Sequence, residues 1–231
     1  MKLLVDIGNT RTKAALSWAG NLKPIDYDLS IFDDYVISQL TYAAVGEQSR
    51  VDSLVEKAKR SDAEVVEVVT AAHAFGIKCA YEHYQTLGID RWLAVLAVAS
   101  VYPDQDVIVV DAGTATTVDF VSGDKVHLGG WIVPGLDLMT SSVTSQTQKV
   151  FDDDTTAFTY ELGQSTPAAL KSGCLAAQIG LVHQAVAYFN RDAPNAVLVI
   201  AGGTAPLLMA QLKALNPVHA PLIVFQGLDL F

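Results

Sequence analysis

The chain has 231 residues, of which 51% are hydrophobic and 17% charged, a balance that describes packed globular structure in one large or two smaller domains and excludes a disordered chain. Its net charge of −10 gives no sequence-independent grip on nucleic acid or an anionic membrane, although backbone amides and metal ions can still hold phosphate. Two cysteines, Cys79 and Cys174, are too few for a disulfide framework and point to a reduced, cytoplasmic setting.

The first stretch, Leu3 to Lys13, is an apolar run that delivers Asp6 to its end, turns at Gly8-Asn9, and returns along Thr12 to Leu16. Gly-Asn between β-prone runs is a hairpin signal. The chain opens directly on this strand, with no charged-then-apolar leader. Leu22 to Leu29 is expected to add a strand, Ile31 to Leu40 a short helix and Tyr42 to Val45 a short strand. Arg50 to Arg60 places Val51, Leu54, Val55 and Ala58 on one helical stripe. Val65 to Val69 and Ile77 to Tyr81 read as strands. Gly88-Ile89-Asp90 opens an apolar helix, Arg91 to Tyr102, that Pro103 and Asp104-Gln105-Asp106 terminate. Its apolar patch from Trp92 to Ala99 is too short to span a bilayer and reads as a buried helix.

At Val107 the opening pattern returns. Val107 to Thr117 repeats the order of apolar strand, Asp, small residue, Gly, polar turn and Thr, with Asp111 lying 105 residues beyond Asp6. Val126 to Val133 carries Gly129-Gly130, Pro134-Gly135 ends that run, and Leu136 to Val143 reads as a helix. Gln146 to Ser165 is polar and irregular, with Asp152-Asp153-Asp154 as a solvated loop. Thr166-Pro167 is expected to cap a long apolar helix reaching about Phe189. Val197 to Ala201 is a strand ending at Gly202-Gly203, Thr204-Ala205-Pro206 starts a helix, and Leu222 to Phe225 is expected to be a last strand. Each half thus reads as a three-stranded meander followed by alternating helices and strands, an α/β architecture with lobes at 1–104 and 105–231. Two such halves facing each other are expected to put both Asp-Gly hairpins on one cleft.

The chain has no Walker A loop, no G-x-G-x-x-G after a strand and no nucleophile elbow at Gly163-Gln164-Ser165. Its histidines, 73, 83, 127, 183 and 219, lack metal-ligand spacing. Matched carboxylates at Asp6 and Asp111 suit a hydrated Mg²⁺, which binds few carboxylates and keeps waters for substrate phosphates. The glycine turns beside them leave amides free for phosphate oxygens.

Five motifs occur in order: Asp6-Ile7-Gly8-Asn9-Thr10 with Lys13; Gly88-Ile89-Asp90-Arg91-Trp92; Asp111-Ala112-Gly113-Thr114-Ala115-Thr116-Thr117; Gly129-Gly130 with Ile132, Pro134 and Gly135; and Ala201-Gly202-Gly203. Together they resemble type III pantothenate kinase, of the acetate/sugar kinase–Hsp70–actin superfamily, over most of the chain to about residue 205. The resemblance implies a duplicated actin-like, ribonuclease H-like two-lobed kinase fold, each lobe a mixed five-stranded sheet with helices. It implies ATP-dependent phosphorylation of pantothenate to 4′-phosphopantothenate, the first step of coenzyme A biosynthesis, by a homodimer with its active site near the dimer interface; the acidic charge separately speaks against nucleic acid or membrane as a partner. On this chain the ATP contacts fall on Asp6, Ile7, Gly8, Asn9, Thr10, Arg11, Thr12, Lys13 and Thr114, with Mg²⁺ at Asp6. The general base falls on Asp90, and the pantothenate contacts on Tyr81, Gly88, Ile89, Asp90, Arg91 and Thr166. A required monovalent cation, K⁺ or NH₄⁺, falls on Asp111.

Asp90 by position alone is also an ordinary helix-start residue, and Arg91 by composition alone is equally a surface ion pair. Tyr84 competes with Tyr81, because Glu82-His83 follows Tyr81 where the family has Asn-Pro. The alternatives are another small-molecule kinase of the superfamily, or a non-catalytic homologue of the kind labelled transcription accessory factors.

Overall fold

The computed structural model describes residues 1–8, 11–45, 48–153, 155–190 and 195–231. In its first strand, β1 (Lys2–Ile7), Leu3, Val5 and Ile7 alternate onto one core while Leu4 is buried on the opposite face. The strand is therefore apolar on both sides, as a central strand must be. It pairs antiparallel with β2 (Thr12–Trp18), which pairs antiparallel with β3 (Asn21–Ile25). A single helical turn, α1 (Ile31–Asp34), replaces the longer helix expected over 31–40, and the strand β4 (Gln39–Ala44) starts earlier than expected. Leu40, Thr41, Tyr42 and Ala43 are all buried and pair parallel with β1, so ladder bonds decide that segment over its local helical pattern. Helix α2 (Gln48–Arg60) buries Val51, Leu54 and Ala58, and β5 (Glu64–Glu67) pairs parallel with β4.

A short hairpin, β6 (His73–Ala74) with β7 (Ile77–Lys78), follows; β7 is a shortened form of the strand expected over 77–81, and its partner β6 was not expected. Its turn holds Phe75 and Gly76 at φ 50° and 80°. Helix α3 (Ile89–Val101) buries every residue from Ile89 to Ala99 except Asp90.

The same sequence of elements then repeats. Strands β8 (Val107–Ala112), β9 (Ala115–Ser122) and β10 (Val126–Pro134) form a second antiparallel meander. Helices α4 (Leu136–Gln146) and α5 (Thr166–Phe189) lead to β11 (Val197–Ala201), which pairs parallel with β8. Helix α6 (Ala205–Gln211) leads to β12 (Val218–His219), parallel with β11. The order β3-β2-β1-β4-β5 thus has its counterpart in β10-β9-β8-β11-β12, the duplicated, mixed five-strand pattern of the actin-like fold. Ile108, Val110 and Ala112 share a core with Leu175, Ile179 and Val182 of α5 and Leu208 of α6. Phe120, Trp131, Tyr188 and Phe189 pack their rings around its end, with centroids 5.2–5.8 Å apart. His127, fully buried, sits 2.9 Å from Asp119 beside a bulge between His127 and Gly129.

The last strand expected at Leu222 is instead a helix, α7 (Ile223–Asp229). Its β-branched start misled the local reading; burial of Ile223, Gly227 and Leu228 on a helical stripe decided the conformation. The helix packs on α3, β1 and β4. The two compact units are accordingly Met1–Val101 with Leu222–Phe231, and Tyr102–Pro221.

Where α7 crosses α3, a Cβ at Gly227 would run into the carbonyl carbon of Leu93 at 2.7 Å and the oxygen beside it. That obstacle is backbone, which cannot swing aside. Gly227→Ala is expected to lower stability by about 1–3 kcal/mol through overpacking, outweighing the roughly 1 kcal/mol gain in helix propensity. The check is the thermal midpoint of the variant, and an unchanged or higher value refutes the packing argument.

Candidate active site

Asp6 and Asp111 occupy the same place in their units. Each is the penultimate residue of the central strand of a meander, at its carboxyl end. Asp6 stands opposite Lys13 on β2, and Asp111 opposite Thr117 on β9. Both carboxylates are half-buried. The turn after Asp6 closes when Gly8 N donates to Arg11 O at 3.0 Å, and a Cβ on Gly8 would meet that oxygen at 3.1 Å. Arg11 and Lys13 are exposed, Thr12 is half-buried, and Ile7 is core. Asn9 and Thr10 lie outside the described residues.

The second turn is braced more heavily. Gly113 N donates to Ala115 O at 3.0 Å, and Gly135 N to Thr114 O at 2.9 Å. Gly135 is tolerated there because it has no side chain: a Cβ would lie 2.6 Å from Thr114 O. Gln178 of α5, itself buried, donates Nε2 to Pro134 O at 2.7 Å and so holds the strand end on which Gly135 sits. Thr114 is left exposed on its turn.

The Asp111 carboxylate lies in a notch made by glycines. An added Cβ on Gly202, which has φ +93°, would be 2.5 Å from Asp111 Oδ1, and one on Gly113 would be 3.9 Å away. No side chain from Gly202 or Gly113 stands against that oxygen, and a carboxylate is a hard oxygen donor of the kind that suits K⁺ or Mg²⁺. Among the described residues no group of three or more His, Cys, Asp or Glu could hold a metal alone. A cation at Asp6 or Asp111 would therefore complete its shell from backbone, water or substrate oxygens.

Asp152 pairs with Lys171 at 3.0 Å. The same ammonium donates to Asp153 O and Thr156 O, both at 2.7 Å. Hydrogen bonds from the Thr156 hydroxyl and amide hold the Asp153 carboxyl below its usual range. The loop is tied to α5 through Lys171 while Asp152 stays exposed to solvent, and Asp154 lies outside the described residues.

A second constellation stands at the start of α3. Asp90 is exposed, and its Oδ1 accepts from the Arg91 amide at 2.8 Å. The same oxygen overlies Gly88, where a Cβ would come within 2.6 Å. Any side chain at 88 would displace the carboxylate. Ile89 is buried and anchors the turn. Arg91, far from being a surface residue, is only 5% exposed. Its Nη1 donates to the Tyr81 hydroxyl at 3.0 Å, and its guanidinium lies 5.8 Å from the Tyr81 ring centroid. Of the two tyrosines weighed, Tyr81 is the one bonded to Arg91, the residue whose amide holds Asp90. Thr166 is the exposed first residue of α5, and the cap role expected of it belongs to Ser165, whose side chain accepts from Ala168 N.

Local reading singled out Ala201-Gly202-Gly203 as a motif but did not place it beside Asp111, read Thr204 only as a helix start, and missed Gln178 as a brace of the second turn.

The family model for type III pantothenate kinase matches residues 2–188. The type III pantothenate kinase of Pseudoalteromonas translucida is 44% identical over 229 residues, covering 99% of this chain and 95% of that one. The solved structure of a "conserved putative Baf family transcriptional activator" from Campylobacter jejuni superposes with a TM-score of 0.60 at 21% identity, covering 98% and 95%. The ethanolamine utilization protein EutJ of Carboxydothermus hydrogenoformans does so at 0.50 and 14%, covering 100% and 89%. At those identities the two structures speak for the fold alone.

Proposed function

The chain belongs to the type III pantothenate kinase family and is a pantothenate kinase, and on that premise we propose how its residues divide the work. ATP is the phosphoryl donor. Asp90 is the general base that accepts the proton of the substrate's primary hydroxyl as that oxygen bonds to the γ-phosphorus and ADP departs. The product is 4′-phosphopantothenate, which enters coenzyme A synthesis in the cytoplasm. The observation that carries the assignment is the placement of Asp90. Its carboxylate is exposed to an incoming substrate, yet fixed by the Arg91 amide and by the bare surface of Gly88. Phosphoryl transfer asks a protein for such positioning more than for covalent chemistry.

Arg91, buried beside Tyr81, takes the pantothenate carboxylate, and Thr166 contributes a hydroxyl to substrate. The turn from Asp6 to Lys13 and the Thr114 turn hold the nucleotide. Mg²⁺ at Asp6, when bound, neutralises charge on the phosphates. Asp111 holds the monovalent cation. Homodimerisation uses the exposed face of α5, where Ala169, Gly173, Ala176, Ala177 and Gly180 are small and both glycines face open space. No helix among the described residues is long and apolar enough to cross a membrane.

The test is ADP release by the purified protein with pantothenate, Mg·ATP and either K⁺ or Na⁺. Pantothenate-dependent turnover that rises with K⁺ is expected, and no turnover in any salt would sink the reading. Asp111→Asn is expected to remove the K⁺ response while the thermal midpoint in K⁺-free buffer stays within a few degrees of the parent. A full K⁺ response in that variant would refute the cation role.

A further inference from the structure

Thr204 stands at the N-cap position of α6, but its side chain makes no cap bond. A threonine there ordinarily accepts from an amide of its own first turn, worth about 1 kcal/mol. In this protein the hydroxyl is turned the other way. Thr204 Oγ1 and Thr204 N both donate to one acceptor, the carbonyl oxygen of Ala112, at 3.0 and 3.1 Å. Ala112 follows Asp111 at the end of β8.

The other half of the Ala112–Gly113 peptide is also fixed, because Gly113 N donates to Ala115 O. That peptide plane therefore has its oxygen held from α6 and its N–H held from β9. Gly202, two residues before Thr204, supplies the notch in which Asp111 Oδ1 rests. One short turn thus sets both the main chain beside Asp111 and the space its carboxylate occupies. A carboxylate that must meet a weakly bound monovalent ion gains from such fixing, since a side chain already oriented loses less freedom on binding.

We propose that Thr204 is a positioning residue for the cation carried by Asp111; the inference rests on the cation role given to Asp111 above. Thr204 does not touch the ion. It acts through the Ala112 carbonyl, and removal of its hydroxyl loosens the Ala112–Gly113 peptide, one residue beyond Asp111.

Thr204→Ala removes the hydroxyl and keeps the amide bond, so the fold is expected to survive. The measurement is the K⁺ concentration giving half-maximal thermal stabilisation of the protein with Mg·ADP, with choline chloride holding ionic strength constant. The same titration is run on ADP release. Thr204→Ala is expected to raise both midpoints about two- to tenfold, the worth of one neutral hydrogen bond. Thr204→Ser, which restores the donor, is expected to return them to within about twofold of the parent. An Asp111→Asn protein that loses the K⁺ response, beside a Thr204→Ala protein with parental midpoints, overturns the positioning role alone. A lowered thermal midpoint without a shift in K⁺ dependence makes Thr204 a plain structural residue and overturns it too. An Asp111→Asn protein that keeps its K⁺ response overturns the cation reading and this inference together. Failure of Thr204→Ser to restore the midpoints counts against the hydrogen bond as the cause.

Discussion

Asp90→Asn is expected to lower kcat by about 10²–10⁴, the usual contribution of a general base, with little change in the Michaelis constants for ATP or pantothenate. The substitution isolates the proton acceptor from everything else the residue does. Asparagine has the same shape, so it still fits over Gly88, and its amide oxygen can still accept from the Arg91 amide. What disappears is one negative charge at the start of α3. Its helix-dipole value is about 0.3–1 kcal/mol at an exposed position, a few degrees of thermal midpoint at most. The two roles therefore predict opposite signatures. A helix-start residue shows a small fall in midpoint with normal turnover, whereas a base shows a collapse of turnover with a nearly normal midpoint. Steady-state kinetics with a melting curve on the same preparation decides between them, and near-parental kcat would leave Asp90 as a helix-start residue only.

The second large effect is expected at Arg91. Arg91→Met is expected to raise the Michaelis constant for pantothenate by about 10–100-fold, the range of a charge-assisted hydrogen bond of roughly 1.5–3 kcal/mol. The constant for ATP should move by less than about twofold. Methionine fills much of the volume of the arginine stem but leaves its polar partners without it, so the variant is expected to lose some thermal stability. A melting curve on the same preparation shows that the variant is folded at the assay temperature, and the unchanged constant for ATP then separates a lost substrate contact from a general loss of structure. Arg91→Lys is not expected to rescue it, because a single ammonium cannot reproduce the planar donor fork that bonds a carboxylate while stacking on Tyr81. A neutral amide of pantothenate supplies the control. If Arg91 reads the carboxylate, parent and variant should handle the amide nearly alike. An equal defect on both substrates would assign Arg91 to holding Tyr81 and the α3 start instead.

Much of this was legible in the sequence because the determining patterns are local. The alternation of Leu3, Val5 and Ile7, the glycine turn after Asp6, and the return of the same order at Asp111 specify two meanders. They also put each carboxylate at the end of a central strand, since a slip of one residue would turn the apolar set to the wrong face. The unbroken run from Trp92 to Ala99 specifies a buried helix without reference to anything distant. The start of α3, with Gly88 bare beneath Asp90, is likewise a matter of three consecutive residues.

What local pattern could not supply is where a side chain ends up when its partner lies far along the chain. Arg91 was as compatible with a surface pair as with burial until the fold placed Tyr81 against it. Ile223 and Val224 favour a strand by propensity, yet the approach of Gly227 to Leu93 makes that segment a helix. Thr204 has the composition and position of a cap. Its hydroxyl goes to Ala112, 92 residues earlier, because β11 pairs parallel beside β8 and brings the two strand ends together. The sequence by itself determined the duplication, the strand ends and the carboxylates delivered to them. The tertiary structure alone decided which main-chain groups and glycines surround those carboxylates, because hydrophobic periodicity specifies a face whereas a hydrogen bond requires a particular neighbour.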